Sequence, residues 1–471
     1  LAGRLAGEGA DCPIFLMHSG GGIISLESAA DFPVRLVESG PAGGAVFAAN
    51  IAARYGLDKV LSFDMGGTTA KICLIKNQTP KTSRVFEVAR TYRFKKGSGM
   101  PISIPVIDMV EIGAGGGSLA HVDAMRQIRV GPESAGSEPG PACYGRGGAK
   151  PAVTDADLIL GKLDPDNFAG GSIKLNKSDS HKALETVLGA PLDMDAQTAA
   201  FGLAEVVDEN MANAARVHAV ENGEDLADYT MIAFGGAAPL HAGRLCEKLG
   251  VDRLLVPLGA GVGSAIGFLR APFSFEANRS VYMTLAGFDA GIIKTLLTDL
   301  QTEATGFVRT CDATADILSE FKVYMRYSGQ GWEIPIVLTQ AQAMAPDAAT
   351  FQRLFEDDYT KLFGRTVVGM DIEITVWAVN ATTPPAKVAA IQTATPTTPA
   401  KSTGQRALFD AALGKPVDAI IVDRMGMITG QTVQGPAIIV EDETTIIVPS
   451  TRQAIAQPDG TIDLIRKGDR I

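Results

Sequence analysis

The run Asp64-Met65-Gly66-Gly67-Thr68-Thr69 brings a carboxylate, two residues without side chains and two hydroxyls into one short stretch. Gly66 and Gly67 let backbone N–H groups approach an anion closely and turn toward it. Thr68 and Thr69 add hydroxyl donors, and Asp64 ends the apolar stretch before the turn with a negative charge. That set suits a nucleotide phosphate with a divalent metal, because Mg²⁺ is usually held by one or two carboxylates together with phosphate oxygens. The same residues also suit an ordinary hairpin, with Gly66-Gly67 as a tight turn and Asp64 as a turn former.

A second glycine pair follows much later, in Phe234-Gly235-Gly236-Ala237-Ala238-Pro239-Leu240-His241. Two glycines at the carboxyl end of a strand let a flat ring lie against bare backbone, where open α/β sheets bind ligands. His241 lies one turn into the following helix, where it either touches the ligand or is a satisfied structural histidine. Glu111–Ala120 carries Gly115 and Gly116, and residues 131–148 are so rich in Gly and Pro that irregular structure is expected there. An ordered loop of that length is usually functional, lining a cleft or a subunit contact. Asp155 and Asp157 are catalytic candidates, although helix capping by Thr154 or Asp155 explains the pattern as well. Cys143 reads as a small buried side chain rather than a nucleophile, and His121 as a structural or surface residue.

The elements that must position these groups are legible from periodicity. Val60, Leu61 and Phe63 lead into the first turn and Ile72, Leu74 and Ile75 lead out of it, predicting two strands. Val34–Glu38 reads as a strand and Ser39–Gly44 as a glycine loop entering a helix at about Ala45, a potential anion site that is equally a close-packed turn. Apolar residues from Ala200 to Val217 recur at helical spacing and predict a long helix over about 195–220. Strands are expected at Tyr229–Phe234 and Val251–Pro257, with a glycine turn over Gly259–Gly267. From about Ser280 the glycine loops stop and strands dominate: 321–327, 332–338, 372–380, 419–422, 437–440 and 444–448, with a helix over 351–363 and a mobile loop at about 382–403. The expected division is an α/β domain over 1–278 and a mainly β domain over 279–471.

The chain has 471 residues, is 46% hydrophobic and 20% charged, and carries a formal net charge of −11. With no Lys/Arg block, nucleic acid and anionic membrane are unlikely partners. Five scattered cysteines, never in a CxxC pair, fit a reducing cytoplasm better than a disulfide framework or a zinc knuckle. No apolar run reaches the roughly 18 residues needed to span a bilayer.

The order of these motifs resembles one lobe of an actin/Hsp70/sugar-kinase-type ATPase with its ribonuclease-H-like fold. More specifically, the sequence is similar to the A-type subunit of the hydantoinase / 5-oxoprolinase / acetone carboxylase family. The likeness is carried by Ser39–Gly44, Phe63–Thr69, Ile112–Ser118, Val130–Gly148, Thr154–Ala156, Glu209–Met211 and Phe234–Ala242, and more loosely beyond about 275 by Gln330 and Gly435–Ile438. The resemblance implies ATP and Mg²⁺ as cofactors, phosphorylation of a lactam, imide or ketone oxygen (or activation of bicarbonate), and a B-type partner subunit that completes ring opening or carboxylation. By the same resemblance Asp64, Gly66, Gly67, Thr68 and Thr69 hold phosphate, Asp64 holds metal, Gly115 and Gly116 line the site, and Gly235, Gly236 and Ala237 hold adenosine. Lys71 stands where the family usually has Asp, so it is expected to meet phosphate directly. The family's N-terminal lobe is expected to be missing from this chain, which alone would then hydrolyse no ATP. A stand-alone sugar-kinase-like phosphotransferase and a non-enzymatic ATP-driven protein are the competing readings.

Overall fold

The protein is described by a computed structural model that covers residues 2–10, 12–88, 97–385 and 388–468. Two compact units divide it: Gly40–Arg270 with Val388–Ile471, and Leu1–Ser39 with Ala271–Lys387. This partition differs from the linear division at 278/279. The stretch after residue 388 returns to the first unit because its last hairpin adds strands to that unit's sheet.

The larger unit is built on one sheet. Its strands include β1 (Lys59–Met65), β2 (Ala70–Lys76), β3 (Met109–Ile112), β4 (Thr230–Phe234), β5 (Arg253–Val256), β6 (Arg452–Ala456) and β7 (Ile462–Arg466). The neighbours run β3-β2-β1-β4-β5-β7-β6, with β1, β4 and β5 parallel and β2 antiparallel to β1. The β3-β2-β1-β4-β5 portion is the arrangement of a ribonuclease-H-like ATPase lobe. β1 and β4 are buried along nearly their whole length. That is why their sequences, Lys-Val-Leu-Ser-Phe-Asp-Met and Thr-Met-Ile-Ala-Phe, read as apolar runs rather than as an alternation.

Helices cover the sheet: α1 (Ser39–Tyr55), α2 (Val153–Ile159), α3 (Ala196–Glu221), α4 (Ala238–Leu249) and α5 (Gly263–Phe268). α3 starts where the Asp195 side chain accepts from the Thr198 N–H, and it buries an alanine-rich stripe including Ala200, Leu203, Val207 and Met211. Three sequence expectations change here. Ser39–Gly44 is not a loop after a strand but the first turns of α1, preceded by a 3₁₀ turn at Pro33–Leu36. Small residues are needed there because a Cβ on Gly44 would press on the Phe234 ring, and one on Gly43 on Phe268 and the Ser264 carbonyl. Much of Gly259–Gly267 is likewise helical. The N-cap of α2 is Ala152, and Asp155 at the third helical position accepts from its N–H.

The stretch expected to be a mobile loop has no regular structure over most of its length, yet it is pinned. Ile391, Ala394, Thr397 and Ala400 donate N–H bonds to Arg54, Gln457, Gly430 and Thr432 respectively. Residues 386–387 of that expectation, and 89–96 of the expected strand-and-loop region, lie outside the described residues.

The smaller unit packs a sheet of Ser274–Arg279, Ile372–Thr382, Leu318–Tyr327 and Ile334–Leu338 against helices Ala290–Cys311 and Ala348–Phe363. The first of these helices lies in a stretch that reads as strand-dominated. Yet Asp289 caps it, and Ile293, Leu297, Leu300, Ala304 and Val308 form its buried stripe at helical spacing. Trp377 is fully buried with its indole N–H donated to Val281 O at 2.8 Å. His18 is also buried, within hydrogen-bond distance of Ser274, and burial, with Arg35 nearby, lowers its pKa to about 4. No helix among the described residues is long and apolar enough to cross a membrane.

Candidate functional site

β1 and β4 are adjacent and parallel, with Phe234 opposite Asp64 in register, so the turns that follow them emerge side by side at one end of the sheet. The turn after β1 is closed by the Gly66 N–H bonding to Thr69 O at 3.1 Å, a bond that does not use the N–H groups of Gly67 and Thr68. Gly67 and Thr68 are exposed and Thr69 is half-buried. A Cβ on Gly66, Gly67 or Gly236 would meet nothing within 4 Å, so bare backbone faces open space at all three. At Gly235 the reason for glycine is different. Its φ is +93°, and a Cβ there would lie 2.6 Å from Oδ1 of Asp64. The Ala237 N–H donates to Met65 O at 3.0 Å and ties the second turn to the first. α4 then begins at Ala238, its positive end beside both turns.

Asp64 is largely buried. Burial pushes its carboxyl above the usual carboxylate range, against the opposing pull of a hydrogen bond from Ser264 Oγ at 3.1 Å and of Lys71. A carboxylate in this position gains from a cation placed next to it. Lys71 sits opposite Asp64 across the β1–β2 hairpin, but its ammonium is already engaged: it donates to Thr69 Oγ1 at 2.5 Å and lies 3.3 Å from Glu111.

Gly115 and Gly116 lie against the back of the Gly66–Thr69 turn. The Gly116 N–H donates to Gly66 O at 3.0 Å, the Gly117 N–H to Gly67 O, and the Gly115 N–H to Ser118 Oγ. A Cβ on Gly115 would stand 2.6 Å from the Thr68 backbone. The Gly116 and Gly117 amides are committed to the turn and the Gly115 amide to Ser118, so the glycine cluster shapes the turn with them.

Asp155 is fully buried and accepts from the N–H groups of Ala142, Cys143 and Ala152 and from Ser180 Oγ. A carboxylate with all these donors is a structural knot that organises residues 142–155, and the catalytic expectation for it gives way to that role. Cys143 beside it is buried, and burial together with Asp155 pushes its thiol far up, which disfavours a nucleophilic thiolate. His121 is exposed.

Two contributors carry no signal in the sequence. Ser264, on α5, holds Asp64. Thr444, from the turn between strands Ala437–Val440 and Thr445–Val448, donates Oγ1 to Gly236 O at 2.9 Å. Neither belongs to a local motif; only the tertiary fold brings them here. Among the described residues no cluster of three or more His, Cys, Asp or Glu is placed to hold a metal. A cation at Asp64 would therefore share it with ligand oxygens and water.

A ribonuclease-H-like lobe with two glycine turns at one sheet end defines the class, and comparison with known proteins defines the family. The sequence profile of the hydantoinase/oxoprolinase family matches residues 1–277, and that of the hydantoinase/oxoprolinase C-terminal domain matches residues 290–459. The chain belongs to the hydantoinase/oxoprolinase family. It is 30% identical over 465 residues to the caprolactamase subunit alpha of Pseudomonas jessenii, covering 97% of this chain and 65% of that one. Identity to the acetophenone carboxylase gamma subunit of Aromatoleum aromaticum is 28% over 469 residues, covering 95% and 61%. The crystal structure of the ATP-dependent caprolactamase from Pseudomonas jessenii superposes with a TM-score of 0.81 at 28% identity, covering 99% of this chain and 67% of that one. The chain thus spans 65% and 61% of the length of these two relatives, and 37% of the length of the 5-oxoprolinase of Dictyostelium discoideum, to which it is 26% identical.

Proposed function

We propose that this chain is the nucleotide-binding part of an ATP-dependent amidohydrolase of the hydantoinase/5-oxoprolinase type, acting on a cyclic amide with a B-type partner subunit. The observation that carries the reading is the pairing of the Gly66–Thr69 and Gly235–Ala237 turns on adjacent parallel strands, with open space above Gly66, Gly67 and Gly236. In this reading Gly67, Thr68 and Thr69 receive phosphate oxygens, Asp64 shares a Mg²⁺ ion with them, and Gly235, Gly236 and Ala237 border the adenosine. Bound ATP would supply the phosphoryl group that turns an amide oxygen into a leaving group. The chain's own residues contribute positioning and charge neutralisation, which is most of what a protein adds to phosphoryl transfer.

The carboxylase reading has its own support in the likeness to the acetophenone carboxylase subunit. One experiment separates the two. The full-length protein, purified with its co-expressed partner, is assayed for ADP release in the presence of a panel of cyclic amides, and of ketones with bicarbonate. ADP release stimulated by a cyclic amide without bicarbonate supports the amidohydrolase. Stimulation only by a ketone with bicarbonate supports the carboxylase, and no ADP release with either would overturn both.

A further inference from the structure

Four ionisable side chains meet in the interior of the larger unit, away from the two turns. His241 Nδ1 lies 2.8 Å from Asp208 Oδ1 and its Nε2 lies 3.2 Å from Asp157 Oδ2, while Lys162 donates to Asp157 Oδ1 at 2.8 Å. All four are buried, His241 completely. An imidazole with a carboxylate at each nitrogen satisfies both only when both nitrogens carry hydrogen, that is, as the imidazolium. Two cations then balance two anions. Such a buried set is weak evidence for added stability, since well-packed apolar residues would often serve as well. What it does do is join three helices: Asp157 on α2, Asp208 on α3 and His241 on α4.

Two of those helices are rooted in the candidate site. α4 grows directly out of the Gly235–Ala237 turn. α2 carries Thr154, whose N–H and Oγ1 both donate to Gly116 O at 2.8 Å, and the Gly116 N–H in turn holds Gly66 O. A closed circuit results. It runs from Gly66 through Gly116 and Thr154 to Asp157, across His241 to α4, and back through the Ala237 N–H to Met65 O.

We propose that the doubly bonded His241 imidazolium is a positioning residue that sets the distance between the Gly66–Thr69 turn and the Gly235–Ala237 turn, so that nucleotide binding depends on its proton. This rests on the nucleotide reading of the site. The charged groups that face His241 are Asp157 and Lys162, from α2 and the turn after it, and Asp208 from α3. Burial lowers the His241 pKa, and Lys162 works in the same direction. Asp157 and Asp208 outweigh both and raise it to about 9. Above that value one carboxylate would face a bare nitrogen lone pair, and the circuit opens.

The test is the affinity of the full-length protein for Mg-ATP, measured by calorimetry from pH 6.5 to 10, with circular dichroism at each pH confirming the fold. Wild-type binding is expected to be level through neutral pH. Above about 9 it should weaken by up to about tenfold per pH unit, as release of one linked proton requires. Asp208→Asn keeps the hydrogen-bonding shape without the charge and should move the onset to lower pH. His241→Gln should weaken binding at neutral pH and remove the alkaline limb, and if that variant does not fold, the Asp208→Asn onset decides. A level wild-type profile to pH 10, or an unmoved onset in folded Asp208→Asn, would overturn this inference alone. No Mg-ATP binding at any pH would overturn the nucleotide reading and this inference with it.

Discussion

Asp64 is a carboxylate held mostly out of water with one hydroxyl donor beside it, and burial raises its pKa. The sign of the stability effect follows. A carboxyl whose pKa is higher folded than unfolded favours the folded state in its protonated form; the ionised form at neutral pH therefore lowers stability, and the loss diminishes as pH falls toward the acid range. Asp64→Asn removes that burden. The ligand-free melting temperature at pH 7 is expected to stay level or rise, while the increase produced by saturating Mg-ATP should be abolished. Thermal shift with and without Mg-ATP reads both. A variant that melts earlier without ligand and keeps its ATP-induced rise would contradict the assignment of Asp64 as a cation ligand.

Residues of this kind are partly legible in the sequence. Asp64 and its turn stand out because carboxylate, glycines and hydroxyls are contiguous. Ser264 and Thr444 do not, because nothing in the spacing around either marks chemistry and only the fold carries them to the site. Asp155 misleads for the opposite reason. A conspicuous acidic residue in a short motif looks catalytic until its buried N–H and hydroxyl partners are counted.

At the scale of elements, the strands and helices with strong periodicity lie where their patterns place them: β1 and β2 around the first turn, α3 over Ala196–Glu221, and β4 leading into α4. The helix Ala290–Cys311 shows that a clear stripe is overlooked when its surroundings read as β. Ser39–Gly44 reads as a loop because of its glycines, whereas they serve close packing. α1 and α5 touch there, and a Cβ on Gly267 would collide with the Gly43 carbonyl. Overpacking a tight contact typically destabilises by about 1–3 kcal/mol. Gly267→Ala should therefore lower the unfolding free energy in urea by about that amount, and because Ser264 lies on the same helix it should also weaken Mg-ATP binding. Unchanged stability would mean that the two helices can separate without strain.

At the scale of the whole molecule, a linear boundary is the natural reading of a composition that changes near Ser280, and the family profiles also break there, between residues 277 and 290. The folded chain divides differently, with the stretch from Val388 onward belonging to the unit that carries the site. The last two strands extend that unit's sheet, β7 pairing with β5, and Arg452 is buried with its guanidinium bonded to the Val251 and Asp252 carbonyls. Long-range return of a chain to an earlier sheet leaves no local trace in composition, so periodicity can find the strands but not their neighbours. A site on a sheet completed this way depends on the carboxyl-terminal hairpin as much as on its own turns.

The most direct measurement is a crystal structure of the full-length protein with Mg²⁺ and a non-hydrolysable ATP analogue. Phosphates against the Gly66–Thr69 turn, the cation at Asp64 and the adenosine along Gly235–Ala237 are the predicted result. A nucleotide seated elsewhere on the molecule, with these two turns facing only water, would contradict it.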